Sequence, residues 1–144
     1  MTTVLTRAVA RLMLAPTLVI AVAVLVKGYA DVGDGFSAGV IAAVAILIQF
    51  LAFGREEAER ALPLRLIPAA AFAGLLAALC IALWPALRGD PILTHLPLPG
   101  AAVVKLGTLE LITAVAFDIA VFLLVLGAVV GIIRAVALAE EEAR

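Results

Sequence analysis

Four long apolar stretches dominate this chain, and the first three, residues 12–26, 36–53 and 66–87, contain no charged side chain. The fourth, residues 109–133, carries Glu110 at its start and Asp118 further in. A soluble domain must cover its outside with polar side chains, and a chain that is 66 % hydrophobic and 15 % charged has too few to do so. Its polar residues are gathered instead between the runs, as in a protein whose main solvent is the bilayer. Barrel strands would be about ten residues long with alternating polarity, and these runs do neither. Helices close their own backbone hydrogen bonds and so carry many amides through lipid economically. The expected fold is all-α: an integral membrane protein, residues 1–144 forming one membrane domain, with transmembrane helices near 8–29, 36–53, 66–87 and 109–133.

The first run is short, but the stems of Arg7, Arg11 and Lys27 can lie along hydrocarbon while their charges reach the interface. Pro16 removes one helical hydrogen bond near its start. A basic start and an apolar core also open a signal peptide, but Lys27-Gly28-Tyr29 stands where a cleavage site belongs, so an uncleaved helix is expected. The fourth run is 25 residues long. At about 1.5 Å per residue it reaches roughly 37 Å against roughly 30 Å of hydrocarbon, so it tilts or extends into the headgroups.

Orientation follows from the intervals. Arg7, Arg11, Arg55, Arg60, Arg65, Arg134 and Arg144 fall on one side, and Lys27, Arg88 and Lys105 on the other. Positive-inside bias then places both termini in the cytoplasm, with the chain in the cytoplasmic (inner) membrane. The cations are spread over both membrane faces and the net charge is −1, which excludes a nucleic-acid surface. The single Cys80 allows no internal disulfide and reads as a small buried hydrophobe, and the single His95 reads as a solvated loop residue. No metal site, cofactor or enzymatic motif is expected: there is no HExxH, and no serine or cysteine nucleophile with a histidine partner. The interval 88–103, with Pro91, Pro97 and Pro99, reads as an irregular outer loop. Glu56, Glu57 and Glu59 read as surface pairing with Arg55 and Arg60 on an interfacial turn, and Glu140, Glu141 and Glu142 as a frayed, solvated helix end or a docking surface.

Asp118 demands an account, because it falls near the middle of the fourth run, where an isolated charge costs on the order of 2.5–3.5 kcal/mol. Three readings compete: a carboxyl on a proton or cation route, a carboxylate paired with a basic side chain of a partner, and a neutral structural carboxylic acid hydrogen-bonded to backbone. Thr113 and Glu110 are candidates for the same ion path or intersubunit contact, lining a polar entrance with Thr108, although Glu110 is also ordinary as a first-turn acid. At 100° per residue Ala120, Gly127 and Gly131 share a stripe suited to close helix packing, and Asp118 faces the other way beside Phe122. Gly35, Gly39 and Ala43 form a second small-residue seam at four-residue spacing.

Two segments carry a family resemblance. Residues 27–39, with Gly28, Gly33, Gly35, Phe36 and Gly39, resemble a motif of Arg-Gly-His-Asn, one residue, Pro-Gly-Gly-Gly-Phe, one residue and Gly-Gly. Tyr29, Val32, Asp34 and Ala38 stand where the motif has His, Pro, Gly and Gly. Residues 117–127, with Phe117, Asp118 and Gly127, resemble Phe-Asp-x-Gly-Val-Tyr-Leu-x-Val-x-Gly, with Ala120 for Gly and Phe122 for Tyr. Both motifs belong to the B subunit of the multi-subunit Mrp-type (Mnh) cation/proton antiporters, and the likeness runs from Arg7 to Ile133. It implies an accessory subunit of a hetero-oligomeric sodium/proton antiporter, contributing to assembly and to one wall of an ion path. Its partners would be the other subunits and membrane lipids, with sodium and protons as the species transported by the complex. Two further readings stand beside it: a self-sufficient homo-oligomeric channel or transporter, and a structural anchor or assembly subunit of a related ion-coupled respiratory or hydrogenase complex.

Overall fold

The computed structural model describes residues 3–27, 33–61, 66–94, 96, 105–106, 109–110 and 112–143. In chain order they form α1 (Val4–Lys27), α2 (Asp34–Phe53), a short α3 (Arg55–Ala61) and α4 (Ile67–Leu83), which continues as a 3-10 turn (Pro85–Arg88). A two-residue antiparallel ladder, β1 (Lys105–Leu106) with β2 (Leu109–Glu110), precedes α5 (Thr113–Glu142). Four segments are long and apolar enough to cross a membrane: α1, α2, α4 with its 3-10 turn, and α5.

Glycines punctuate α2 at both ends. Gly33 precedes its first residue at φ 118° and Gly54 follows its last at φ 79°, backbone conformations that a side chain disfavours. Pro68 lies in the first turn of α4, where its missing N–H costs nothing.

Small residues decide which helices touch. In lipid no hydrophobic gain comes from bringing two apolar helices together, so close backbone approach and van der Waals contact must supply the attraction. At Gly74 a β-carbon would lie 2.5 Å from the Ala120 carbonyl oxygen and from the Leu124 nitrogen; at Gly127 it would strike the Ala71 amide and lie 2.8 Å from the Ile67 oxygen. These contacts set α4 antiparallel to α5. Gly35 meets Asp118, and Gly39 meets Phe122 and Val125, which sets α2 parallel to α5 on its other side. α1 completes the set against α2, where buried Gln49 donates its Nε2–H to the Ala10 carbonyl at 2.8 Å. Among the described residues α4 touches neither α1 nor α2, so α5 is the central element and the outer helices bury only narrow seams.

The fourth transmembrane helix starts and ends later than the expected 109–133. Leu109 and Glu110 belong to the ladder, and Ile112 is extended (φ −113°, ψ 150°), so the helix begins at Thr113. It runs past Arg134 because that guanidinium meets Glu59 of α3 at 2.8 Å. Three further expectations are corrected. Cys80 lies on the exposed face of α4, since an apolar residue of a bilayer helix is as well placed against lipid as inside. Glu59 is not a surface acid: its side chain is 5 % exposed, between Arg55 at 3.5 Å and Arg134. The acidic tail is helical to Glu142, and Glu141 takes two hydrogen bonds from Arg55, at 2.7 and 3.0 Å. That bond, foremost, raises the Arg55 pKa above its ordinary value, and the neighbouring carboxylates add to it. On the α1 side Arg7 and Arg11 converge on Glu57 at 2.6 and 3.2 Å and stack over Phe53.

Replacing Gly74 or Gly127 by Val should force α4 off α5 and lower stability in mild detergent by about 1–3 kcal/mol, the usual range for overpacking. Gly131→Ala is the control, because a β-carbon there meets Pro68 at 3.6 Å, an ordinary contact. Thermal or SDS-induced unfolding checks both, with the control expected near wild type.

Candidate functional site

The site forms where α2 and α5 begin. Asp118 is the sixth residue of α5, five residues or roughly 7.5 Å from its first, so it lies close to one end of the span and not near the middle. Its residue exposure is 5 %. One carboxylate oxygen, Oδ2, accepts a hydrogen bond from the Gly33 amide at 3.1 Å. Gly33 occupies the capping position of α2 and offers no side chain of its own, so the acid of another helix serves as its cap. The helix terminus supplies an unsatisfied N–H and the positive end of the α2 dipole, both of which favour an anion.

This geometry depends on Gly35. A β-carbon at that position would run into the Asp118 carbonyl oxygen and lie 2.8 Å from its carbonyl carbon. The two backbones are in contact there, and only that closeness lets so short a side chain reach the amide two residues upstream. Gly39 extends the seam by one turn, its β-position 2.9 Å from Val125 Cβ and 3.1 Å from the Phe122 carbonyl oxygen. Asp34, the first residue of α2, lies 3.8 Å from Lys27 Nζ, and its enclosed Oδ2 has no hydrogen bond among the described residues.

The remaining residues singled out from sequence divide into groups. Gly33, Gly35, Gly39 and Asp118 come together on the α2 side of α5, while Ala120, Gly127 and Gly131 face α4. The two faces of α5 therefore both meet protein within this one chain. Phe117 is half-buried beside Ile81, Leu93 and Thr113 in a small apolar pocket. Thr113 is bound to Leu96: its N–H donates to the Leu96 carbonyl at 2.9 Å and its Oγ1 accepts from the Leu96 N–H at 2.9 Å. Glu110 precedes the helix, paired in register with Lys105, and so is not a first-turn acid of α5. Phe36 is 60 % exposed and points away from the seam. Gly28 and Thr108 lie outside the described residues. Sequence reasoning missed Gln49 as a helix tie and Glu59 as a buried bridge; Arg134, a cation followed by further apolar helix, was the available signal for the second.

Comparison with known proteins matches residues 5–131 to a family model described as a domain related to the MnhB subunit of Na+/H+ antiporter. Similar curated proteins include the B subunit of the Na(+)/H(+) antiporter of Alkalihalophilus pseudofirmus, 34 % identical over 110 residues, which cover 76 % of this chain and 75 % of that protein. The corresponding Na(+)/H(+) antiporter protein of Bacillus subtilis, also a B subunit, is 34 % identical over 122 residues, 81 % of this chain and 78 % of that protein.

Asp118→Asn keeps a carbonyl able to accept from Gly33 and should stay near wild-type stability. Asp118→Leu strands a buried N–H and should cost about 1–3 kcal/mol. Gly35→Ala should cost at least as much, because its clash is with backbone. Unfolding in bilayer-like micelles measures all three, and equal losses for Asn and Leu would contradict the capping role.

Proposed function

The chain belongs to the family of domains related to the MnhB subunit of Na+/H+ antiporters, and on that premise we propose that it is an accessory, B-type subunit of a multi-subunit sodium/proton antiporter. It is a multi-pass protein of the cytoplasmic membrane with both termini in the cytoplasm, and its partners are the other subunits and the surrounding lipids. One observation carries the accessory role. Among the described residues of the four long helices Gln49 and Asp118 are the buried polar residues, and each is bonded to backbone of a neighbouring helix, while the enclosed Glu59 side chain lies in the short α3 and is paired with Arg55 and Arg134. A complete proton route needs a relay of ionisable groups through the bilayer, and a single acid anchored at one end of a span does not make one. Asp118 acts by fixing the α2–α5 pair, which forms a wall for partner subunits, and not by carrying the ion.

Two measurements test this. In cells expressing the full subunit set, Asp118→Asn should assemble normally and retain sodium-dependent proton flux, whereas Asp118→Leu should lose assembly and flux together. Normal assembly with flux abolished in the Asn variant would make the carboxyl part of an ion path. Flux from the purified chain alone in liposomes would overturn the accessory role. Reporter fusions at the two ends should both report cytoplasmic, and opposite sides would break the four-span topology.

A further inference from the structure

The seam between α2 and α5 changes along its length. Gly35 and Gly39 keep the backbones together near Asp118, whereas Ile46, Phe50 and Val130 fill the seam toward the other end. There a groove of about 440 Å³ opens between the two helices, walled by Leu47, Leu51, Ile132 and Val136 and ending at Arg55 and Glu140. Leu51, Ile132 and Val136 are 69 %, 65 % and 58 % exposed, so nothing among the described residues covers the walls. Exposed apolar residues alone are normal for a bilayer helix; the charges at the closed end make this groove particular.

The Arg55 fork is taken up, by Glu141 on Nε and Nη2 and by Glu59 on Nη1. Glu140 makes no ion pair among the described residues, and Glu142 beyond it is exposed. Among the described residues that end of the groove therefore presents a carboxylate with no ion-pair partner where the apolar walls stop.

We propose that this groove receives an apolar transmembrane helix of another subunit, whose cytoplasmic end carries a Lys or Arg that meets Glu140. The inference rests on the reading of the chain as an antiporter subunit. Positive-inside bias puts Lys and Arg at the cytoplasmic ends of membrane spans, so a neighbouring subunit has the charge that the groove lacks. A ridge of side chains from a helix laid along an open groove is the ordinary way for two helices to pack. A lipid fits less well: its phosphate is the headgroup portion nearest the acyl chains and would face the carboxylates. A second copy of this chain fits less well too, because among the described residues the arginines at the same end, Arg7, Arg11, Arg55, Arg60 and Arg134, are already paired with Glu57, Glu141, Glu56 and Glu59.

The test places a photoreactive benzoylphenylalanine at Val136 or Leu51, with Leu76 on the far face of α4 as the comparison position, in cells expressing the complete subunit set. After irradiation the adducts are identified by mass spectrometry. The expected partner of positions 136 and 51 is an apolar span of a co-expressed subunit with Lys or Arg at its end. Its yield should fall about five-fold or more in Glu140→Lys, where like charges meet, and less in Glu140→Gln. Adducts only to lipid, adducts only to a second copy of this chain, or an unchanged yield in Glu140→Lys would each overturn the inference. Co-purification of the other subunits with the unsubstituted chain is scored separately. Its absence removes the subunit reading and this inference together, whereas co-purification without the groove adduct removes only the inference.

Discussion

The backbone contact between the start of α2 and the second turn of α5 is the constraint on which the rest depends. An acid enclosed between two apolar helices needs a donor, and among the described residues the donor is the Gly33 amide, not a basic side chain. The capping bond avoids about 1–3 kcal/mol for a stranded amide. The helix dipole adds something like 0.3–1 kcal/mol for a nearby anion. Neither gain is available unless the helices touch, and Gly35 is what allows them to. The small residue and the acid, 83 positions apart in sequence (118 − 35), are thus one device.

From that contact the architecture follows outward. α5 takes α2 on its acid face and α4 on its Ala120–Gly127 face, so it serves as the spine. At the opposite end charge joins the short α3 to its neighbours: Glu59 and Glu141 tie α3 to α5, and Glu57 ties α3 to α1. Charge suits that end because α2 closes there at Gly54 and the short α3 that follows carries two arginines and three glutamates. Individually exposed pairs contribute little, but Glu59 is nearly enclosed, and a bridge to two arginines in that setting fixes the position of α3. The fold that results is open on its flanks, in keeping with a protein that lives among other membrane subunits.

Much of this was legible in the sequence, and for local reasons. Span number follows from run length and composition, and the small-residue stripes follow from the 100° helical period, both of which are properties of short windows. The start of α5 was not legible, because the run from residue 109 is apolar enough to continue a helix and it is the pairing of Leu109–Glu110 with Lys105–Leu106 that takes those two residues out of one. Its end was hidden because the partner that keeps Arg134 inside a helix lies in α3. Asp118 was recognised as needing shielding, but its depth inherited the error in the helix start, and its partner is a glycine amide, which carries no side-chain signature. Cys80 shows the same limit from the other side, since hydrophobicity marks a residue as membranous without saying whether it faces protein or lipid.

Proximity of the Asp118 carboxylate to the Gly33 amide is therefore the quantity that matters most. Solid-state NMR on the chain in bilayers, with ¹⁵N at Gly33 and ¹³Cγ at Asp118, reads it through their dipolar coupling. Strong dephasing at the separation of a direct hydrogen bond is the result expected from an amide-to-oxygen distance of 3.1 Å. No measurable coupling, with the helices otherwise formed, would mean that the acid does not cap α2 and that the centre of this account is wrong.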